Sequence, residues 1–95
     1  PMMDGIGGDL FVLYREAKTG KLVGLNSSGP AGQAMSIAAL KAKGLSSMPA
    51  NGIHTVTVPG AVRGWQAMHA RYGKLPWKTL FTPAIELAER GFAVH

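Results

Sequence analysis

The chain has 95 residues and no cysteine, and its 10 Lys and Arg residues outnumber 5 Asp and Glu residues, giving a formal charge of +5. This length allows one small domain at most, and the lack of cysteine excludes disulfides, thiol catalysis and zinc–thiolate centres. The basic residues are scattered singly, so we expect no nucleic-acid partner. No apolar run approaches the roughly twenty residues of a membrane span, so we expect no membrane partner either.

The first third of the chain predicts a β-hairpin. The apolar run Leu10–Arg15 is typical of a largely buried strand, and Lys18–Lys21 indicates a tight turn into a returning strand over Leu22–Leu25. The segment Asn26–Pro30 predicts the end of the sheet, because Asn and Ser side chains hydrogen-bond the local backbone and proline cannot donate to a ladder.

The rest of the chain is mainly helical in pattern, with one further strand. The alternating, β-branched run His54–Val58 predicts a short strand. Hydrophobic spacing and Gly or Pro punctuation predict four helical segments: Ala31–Lys43, ended by Gly44; Gly60–Tyr72, ended by Gly73; a short segment starting at Leu75; and a last helix with Thr82 as N-cap, Pro83 in its first turn and Gly91 after its end. We expect one α/β (α+β) domain over residues 1–95, without an internal boundary.

Two residue patterns suggest ligand sites but have simpler explanations. Gly5 and Gly7 are spaced as in a dinucleotide fingerprint, but Leu10 takes the third position and a strand follows where a helix is needed. Tight turns are the better interpretation. His54, His69 and His95 lack the spacing of metal ligands. We therefore expect neither a cofactor nor a metal.

The candidates for catalysis are equally weak. Pro1 has the chemistry of the N-terminal base in tautomerase-type enzymes, but the first strand begins only near Leu10, so a frayed terminus is the better interpretation. Thr55 and Thr57 fit a strand, and Ser27 and Ser28 fit a turn, with the lining of a ligand site as the alternative for these two serines. No catalytic residue is assigned within the chain.

Several segments, taken in chain order, resemble the large-subunit N-terminal region of the γ-glutamyltranspeptidase (glutathione hydrolase) family. Together these segments cover nearly the whole chain. The segments are Gly5–Phe11, leading into a central strand; the hairpin Lys18–Lys21; the V-P-G-x-V-x-G pattern at Val58–Gly64; Tyr72–Trp77; and the helix Pro83–Phe92.

This resemblance implies a fragment of an N-terminal nucleophile hydrolase, a four-layer αββα sandwich in which antiparallel strands are packed by helices. Such enzymes mature by self-cleavage, and the freed threonine attacks an amide with its own α-amine as base. That threonine would lie outside these residues, so we expect the chain alone to be inactive. The implied partners are the rest of its precursor, including the small subunit, and a small γ-glutamyl or acyl-amide substrate.

The implied substrate-binding residues are Asn26, Ser27 and Ser28. Transpeptidases of the usual kind carry an Arg-Glu pair after the second strand, and the Arg binds the α-carboxylate of the γ-glutamyl group through a bidentate contact. In this chain Ser28 stands about where that Arg would be, and a serine supplies no charge. The segment is more similar to the branch that includes cephalosporin and glutaryl acylases. Binding of a γ-glutamyl group would then need a cation from elsewhere.

A second hypothesis is a free-standing basic α/β module that binds an acidic partner and catalyses nothing. Cooperative unfolding of the isolated 95 residues would favour the module, whereas exposed apolar surface and binding of the dye ANS would favour a fragment. A proline-based tautomerase is the third hypothesis, tested by blocking Pro1.

Overall fold

The computed structural model describes residues 5–93, so Pro1 and His95 lie outside the described residues. Two antiparallel strands and three α-helices in this range confirm the α+β class and are consistent with a fragment of an N-terminal nucleophile hydrolase. In chain order the elements are β1 (Leu10–Arg15), β2 (Leu22–Ser27), α1 (Ile37–Ala42), a 3-10 turn (Ile53–Thr55), α2 (Ala61–Tyr72) and α3 (Trp77–Arg90). The chain divides into two compact units, the first ending at Trp65 and the second beginning at Gln66.

The β-hairpin forms where the sequence predicts it. Gly20 closes the turn with a φ of 72°, a left-handed conformation that glycine adopts without steric cost. Its N–H donates to the Glu16 carbonyl at 2.8 Å, and the Glu16 N–H donates to the Lys21 carbonyl at 2.8 Å. β2 runs two residues beyond the predicted Leu25, because Asn26 and Ser27 still pair with β1.

The two faces of the hairpin differ in exposure. One face is half-buried and carries Leu10, Val12 and Tyr14 of β1 with Val23, Leu25 and Ser27 of β2. The other, here called the outer face, carries Phe11, Leu13 and Arg15 with Leu22, Gly24 and Asn26. On it, Phe11 is 69% exposed and Leu13 is 73% exposed. The prediction of a largely buried first strand is therefore wrong within residues 5–93.

Helix α1 is shorter than the predicted Ala31–Lys43. It begins at Ile37, because Ser36 adopts an extended backbone conformation and its hydroxyl accepts the N–H of Ala39 at 3.1 Å, as an N-cap does. The small apolar residues before Ser36 belong to a loop. The predicted end is confirmed: Gly44, at a φ of 79°, follows the C-cap.

The predicted strand His54–Val58 is wrong. Ile53–Thr55 form a 3-10 turn, in which both the N–H and the hydroxyl of Thr55 donate to the Gly52 carbonyl, at 3.1 and 2.7 Å. Val56 is extended, but residues 56–58 form no strand. The Val58 N–H donates to the Pro30 carbonyl at 2.9 Å. β-branched residues favour a strand only where a neighbouring edge is available.

In the second unit, the two predicted segments from Leu75 onward form one helix, α3. It starts at Trp77 and contains Pro83, so the prediction of Thr82 as its N-cap is wrong. Trp77 contacts Phe81 one turn later in an edge-to-face arrangement, with ring centroids 4.8 Å apart, which supports the first turn before the proline. Gly91 ends the helix at a φ of 80°, as predicted.

The first unit is buried most deeply at the start of α2, where Gly60, Ala61 and Gly64 are buried. A Cβ on Gly64 would lie 2.6 Å from Cδ2 of Leu10 and 2.7 Å from Cβ of Ser27, so only glycine lets α2 approach the strands this closely. None of the helices within residues 5–93 is both long and apolar enough to cross a bilayer.

Candidate functional site

Three stretches of the first unit meet where β1 begins, β2 ends and α2 begins: residues 8–10, 26–30 and 57–64. We call this meeting point the junction. The Gly8 carbonyl accepts the N–H groups of Gly60 and Ala61 at 3.2 and 3.0 Å. The Ser27 hydroxyl donates to the Gly60 carbonyl at 2.7 Å. Because these bonds use the backbone groups that open α2, they fix where that helix starts.

Asp9 ties the junction together through its carboxylate. Its Oδ1 accepts the Gly29 N–H at 3.2 Å and the Thr57 hydroxyl at 3.0 Å, and its Oδ2 accepts the Ser28 hydroxyl at 3.1 Å. The bond from the Gly29 N–H, followed by that from Thr57, lowers the pKa of the Asp9 carboxyl below its usual value. Asp9 is therefore ionised at neutral pH and holds the loop after β2 against the segment before α2.

The structure brings the predicted residues Asn26, Ser27 and Ser28 together beside this carboxylate. The Asn26 side-chain oxygen accepts the Ser28 N–H at 2.9 Å, which makes a local turn. Ser27 lies on the half-buried face and Ser28 is exposed. Their role in substrate binding stays a prediction.

All three residues line one cleft of about 420 Å³. The rest of its lining comes from the same loop and from the start of α2, namely Gly29, Pro30, Val58, Pro59, Gly60 and Arg63. Arg63 is the positively charged residue of this lining. Arg63 is exposed in the first turn of α2. Within residues 5–93, no group of His, Asp or Glu side chains is arranged to hold a metal ion.

The sequence alone does not place Asp9, Thr57 or Arg63 at this site. Asp9 falls in the glycine-rich segment Gly5–Phe11, and Thr57 fits a predicted strand that does not form. Their contact spans 48 positions of sequence, which no local pattern reveals. One signal in the sequence pointed to Arg63, because it lies inside Val58–Gly64, the segment with the V-P-G-x-V-x-G pattern.

Lowering the pH is expected to loosen the junction. The folded-state pKa of Asp9 is lowered, so its stabilisation is fully present above the unfolded-state value of about 3.9 and is lost as the pH falls through the folded-state pKa. We expect Asp9→Asn to lower the thermal midpoint of the full-length protein at pH 7, and the gap to wild type to narrow below about pH 4. A gap that stays constant from neutral pH to pH 3 would contradict this assignment.

Comparison with known proteins identifies the family. The sequence profile of the γ-glutamyltranspeptidase family matches residues 1–95. The chain is 38% identical to glutathione hydrolase 3 of Arabidopsis thaliana over 95 residues, which is 100% of this chain and 15% of that protein. It is 37% identical to the glutathione hydrolase-like YwrD proenzyme of Bacillus subtilis over 95 residues, 99% of this chain and 18% of that protein.

A third relative carries a different kind of name. Scoloptoxin SSD14 of Scolopendra dehaani is 38% identical over 96 residues, which is 99% of this chain and 16% of that protein. The chain thus spans between 15% and 18% of the length of these three relatives. Because the family profile matches along its whole length, the chain belongs to the γ-glutamyltranspeptidase family.

Proposed function

We propose that the chain is part of the large subunit of a γ-glutamyltranspeptidase-like hydrolase that cleaves a γ-glutamyl or related acyl group from an amide such as glutathione. The family match over residues 1–95 carries this proposal. Two of the relatives above are named as glutathione hydrolases or glutathione hydrolase-like, and one of these is a proenzyme. The proposed precursor supplies the remaining sequence, because the chain spans no more than 18% of those relatives.

In the proposed reaction a threonine outside these residues attacks the amide carbonyl, and its own α-amine takes up the hydroxyl proton. The α-ammonium gives this proton to the departing amine as the C–N bond breaks, which leaves an acyl-enzyme ester. Attack on that ester by water (hydrolysis) or by an acceptor amine (transfer) releases the threonine hydroxyl. Hydrogen-bond donors of an oxyanion hole stabilise the two tetrahedral intermediates. This chain supplies none of those groups.

The contribution proposed for this chain is binding of the acyl group at the cleft after β2. Asn26, Ser27 and Ser28 lie on this cleft. The junction anchors their loop, because Asp9 accepts the Gly29 N–H and the Ser27 hydroxyl donates to the Gly60 carbonyl. A loop fixed in this way binds a substrate without losing entropy to ordering, which favours both affinity and orientation. The segment thus acts as a positioning element for chemistry performed elsewhere in the precursor.

The decisive experiment is intact-mass measurement of the full-length protein, with N-terminal sequencing of every chain found. We expect two chains, the smaller beginning with threonine. The processed protein is then assayed for release of p-nitroaniline from γ-glutamyl and glutaryl anilides. Replacing that threonine with alanine should abolish both processing and release.

A single unprocessed chain without amidase activity would contradict the proposal. That outcome would favour the non-catalytic basic module, whose acidic partner would then be sought with the same full-length protein.

A further inference from the structure

The cleft at the junction contains one positively charged side chain whose role is unassigned. Arg63 lines the cleft from the first turn of α2. Within residues 5–93, no carboxylate forms an ion pair with it. An arginine in a cleft with an unused guanidinium fork is suited to a planar anion, because its N–H groups match the two oxygens of a carboxylate.

The Ser28 hydroxyl is not suited to the same task. It has one proton, and that proton is directed to Oδ2 of Asp9 at 3.1 Å. Its remaining lone pairs only accept hydrogen bonds, and the neighbouring Asp9 charge repels an anion. A carboxylate bound at this cleft therefore avoids Ser28.

The other two predicted residues add little positive charge. The Ser27 hydroxyl donates to the Gly60 carbonyl at 2.7 Å, so its proton is also in use. The Asn26 side-chain oxygen accepts the Ser28 N–H, which leaves its NH₂ group as a neutral donor at the cleft. Arg63 is thus the one formally charged residue among those that line the described cleft.

We infer that Arg63 is the carboxylate-binding, specificity-determining residue of this cleft, so that the enzyme selects acyl groups ending in a carboxylate. This inference rests on the proposed function for the identity of the acyl group. Binding of an anion is inferred from the cleft and its lining alone. The cation that the loop after β2 lacks is supplied by the helix that follows the V-P-G turn. Because Ser28 accepts rather than donates, the acyl chain lies with its carboxylate at the α2 side of the cleft.

The test measures equilibrium binding of glutarate and of valeramide to the full-length protein by titration calorimetry. The two ligands share a five-carbon chain, but valeramide has no carboxylate. We expect wild type to bind glutarate more tightly than valeramide, and Arg63→Gln to weaken glutarate binding about 10- to 100-fold, the range for one hydrogen-bonded charged group. Arg63→Lys keeps the positive charge but lacks the planar guanidinium group, so its affinity for glutarate should lie between those of wild type and Arg63→Gln.

Arg71→Gln is the matched control, because it removes the same charge from the same helix at a position that does not line the cleft. Glutarate binding that is unchanged in Arg63→Gln, or equally weakened in Arg71→Gln, would overturn the inference. Equal affinity of wild type for glutarate and valeramide would also overturn it. Binding does not require turnover, so glutarate bound through Arg63 without amidase activity would refute the proposed function alone.

Discussion

Replacing Gly29 with alanine is expected to destabilise the full-length protein and to impair its maturation. A Cβ at this position would lie 1.3 Å from the Val58 carbonyl oxygen and 2.5 Å from its carbon. Both atoms belong to the backbone, so no side-chain rotation can relieve the overlap. The loop after β2 and the segment before α2 would have to move apart.

That movement breaks the contacts that hold the junction. The Pro30 carbonyl would lose the Val58 N–H, now at 2.9 Å, which is worth about 1 kcal/mol. Overpacking of a close contact adds about 1–3 kcal/mol. We therefore expect a loss of about 2–4 kcal/mol in the free energy of unfolding, a large part of the 5–15 kcal/mol that stabilises a typical domain.

The readouts are the yield of soluble protein, its thermal midpoint and the fraction cleaved into two chains. Gly32→Ala is the matched control, since a Cβ there meets nothing within 4 Å and the residue lies three positions further along the same loop. Gly32→Ala should fold and process normally. A Gly29→Ala protein with the thermal midpoint and processing of wild type would show that these segments are not in contact in the complete protein.

The parts of the fold that the sequence predicts correctly are those determined by neighbours in sequence. The hairpin turn at Lys18–Lys21 and the end of α2 at Gly73 depend on residues a few positions apart. The failures have non-local or competing causes. The run His54–Val58 has strand propensity but no partner edge, and Ser36 caps α1 later than its apolar pattern suggests.

The candidate site shows the same division. The turn that ends β2 is predictable, because Asn, Ser, Gly and Pro in series favour a turn, although Asn26 and Ser27 still pair with β1. The role of Asp9 is not predictable from the sequence, because its carboxylate accepts hydrogen bonds from Ser28 and Thr57, which lie 19 and 48 positions away. Only the close approach of backbones at glycine brings these groups together, and that approach is a property of the folded chain.

Replacing Leu13 with aspartate should also block maturation, although Leu13 is 73% exposed in this chain. Leu13 lies on the outer face beside Phe11, where the strands line an apolar groove of about 490 Å³. A two-stranded hairpin is marginal in water, and an exposed apolar patch of this kind normally faces a partner. In the proposed αββα sandwich that partner is the second sheet, supplied by the rest of the precursor.

An unpaired carboxylate buried between the sheets costs several kcal/mol, which is enough to prevent their packing. Leu13→Met preserves the volume and should process normally, while Ala17→Asp adds the same single negative charge at the exposed hairpin turn and should also be tolerated. The measurement is the fraction of full-length protein cleaved into two chains, with ANS fluorescence reporting uncovered apolar surface. Normal cleavage of Leu13→Asp would mean that the outer face stays in contact with water in the mature protein, and that no second sheet covers this hairpin.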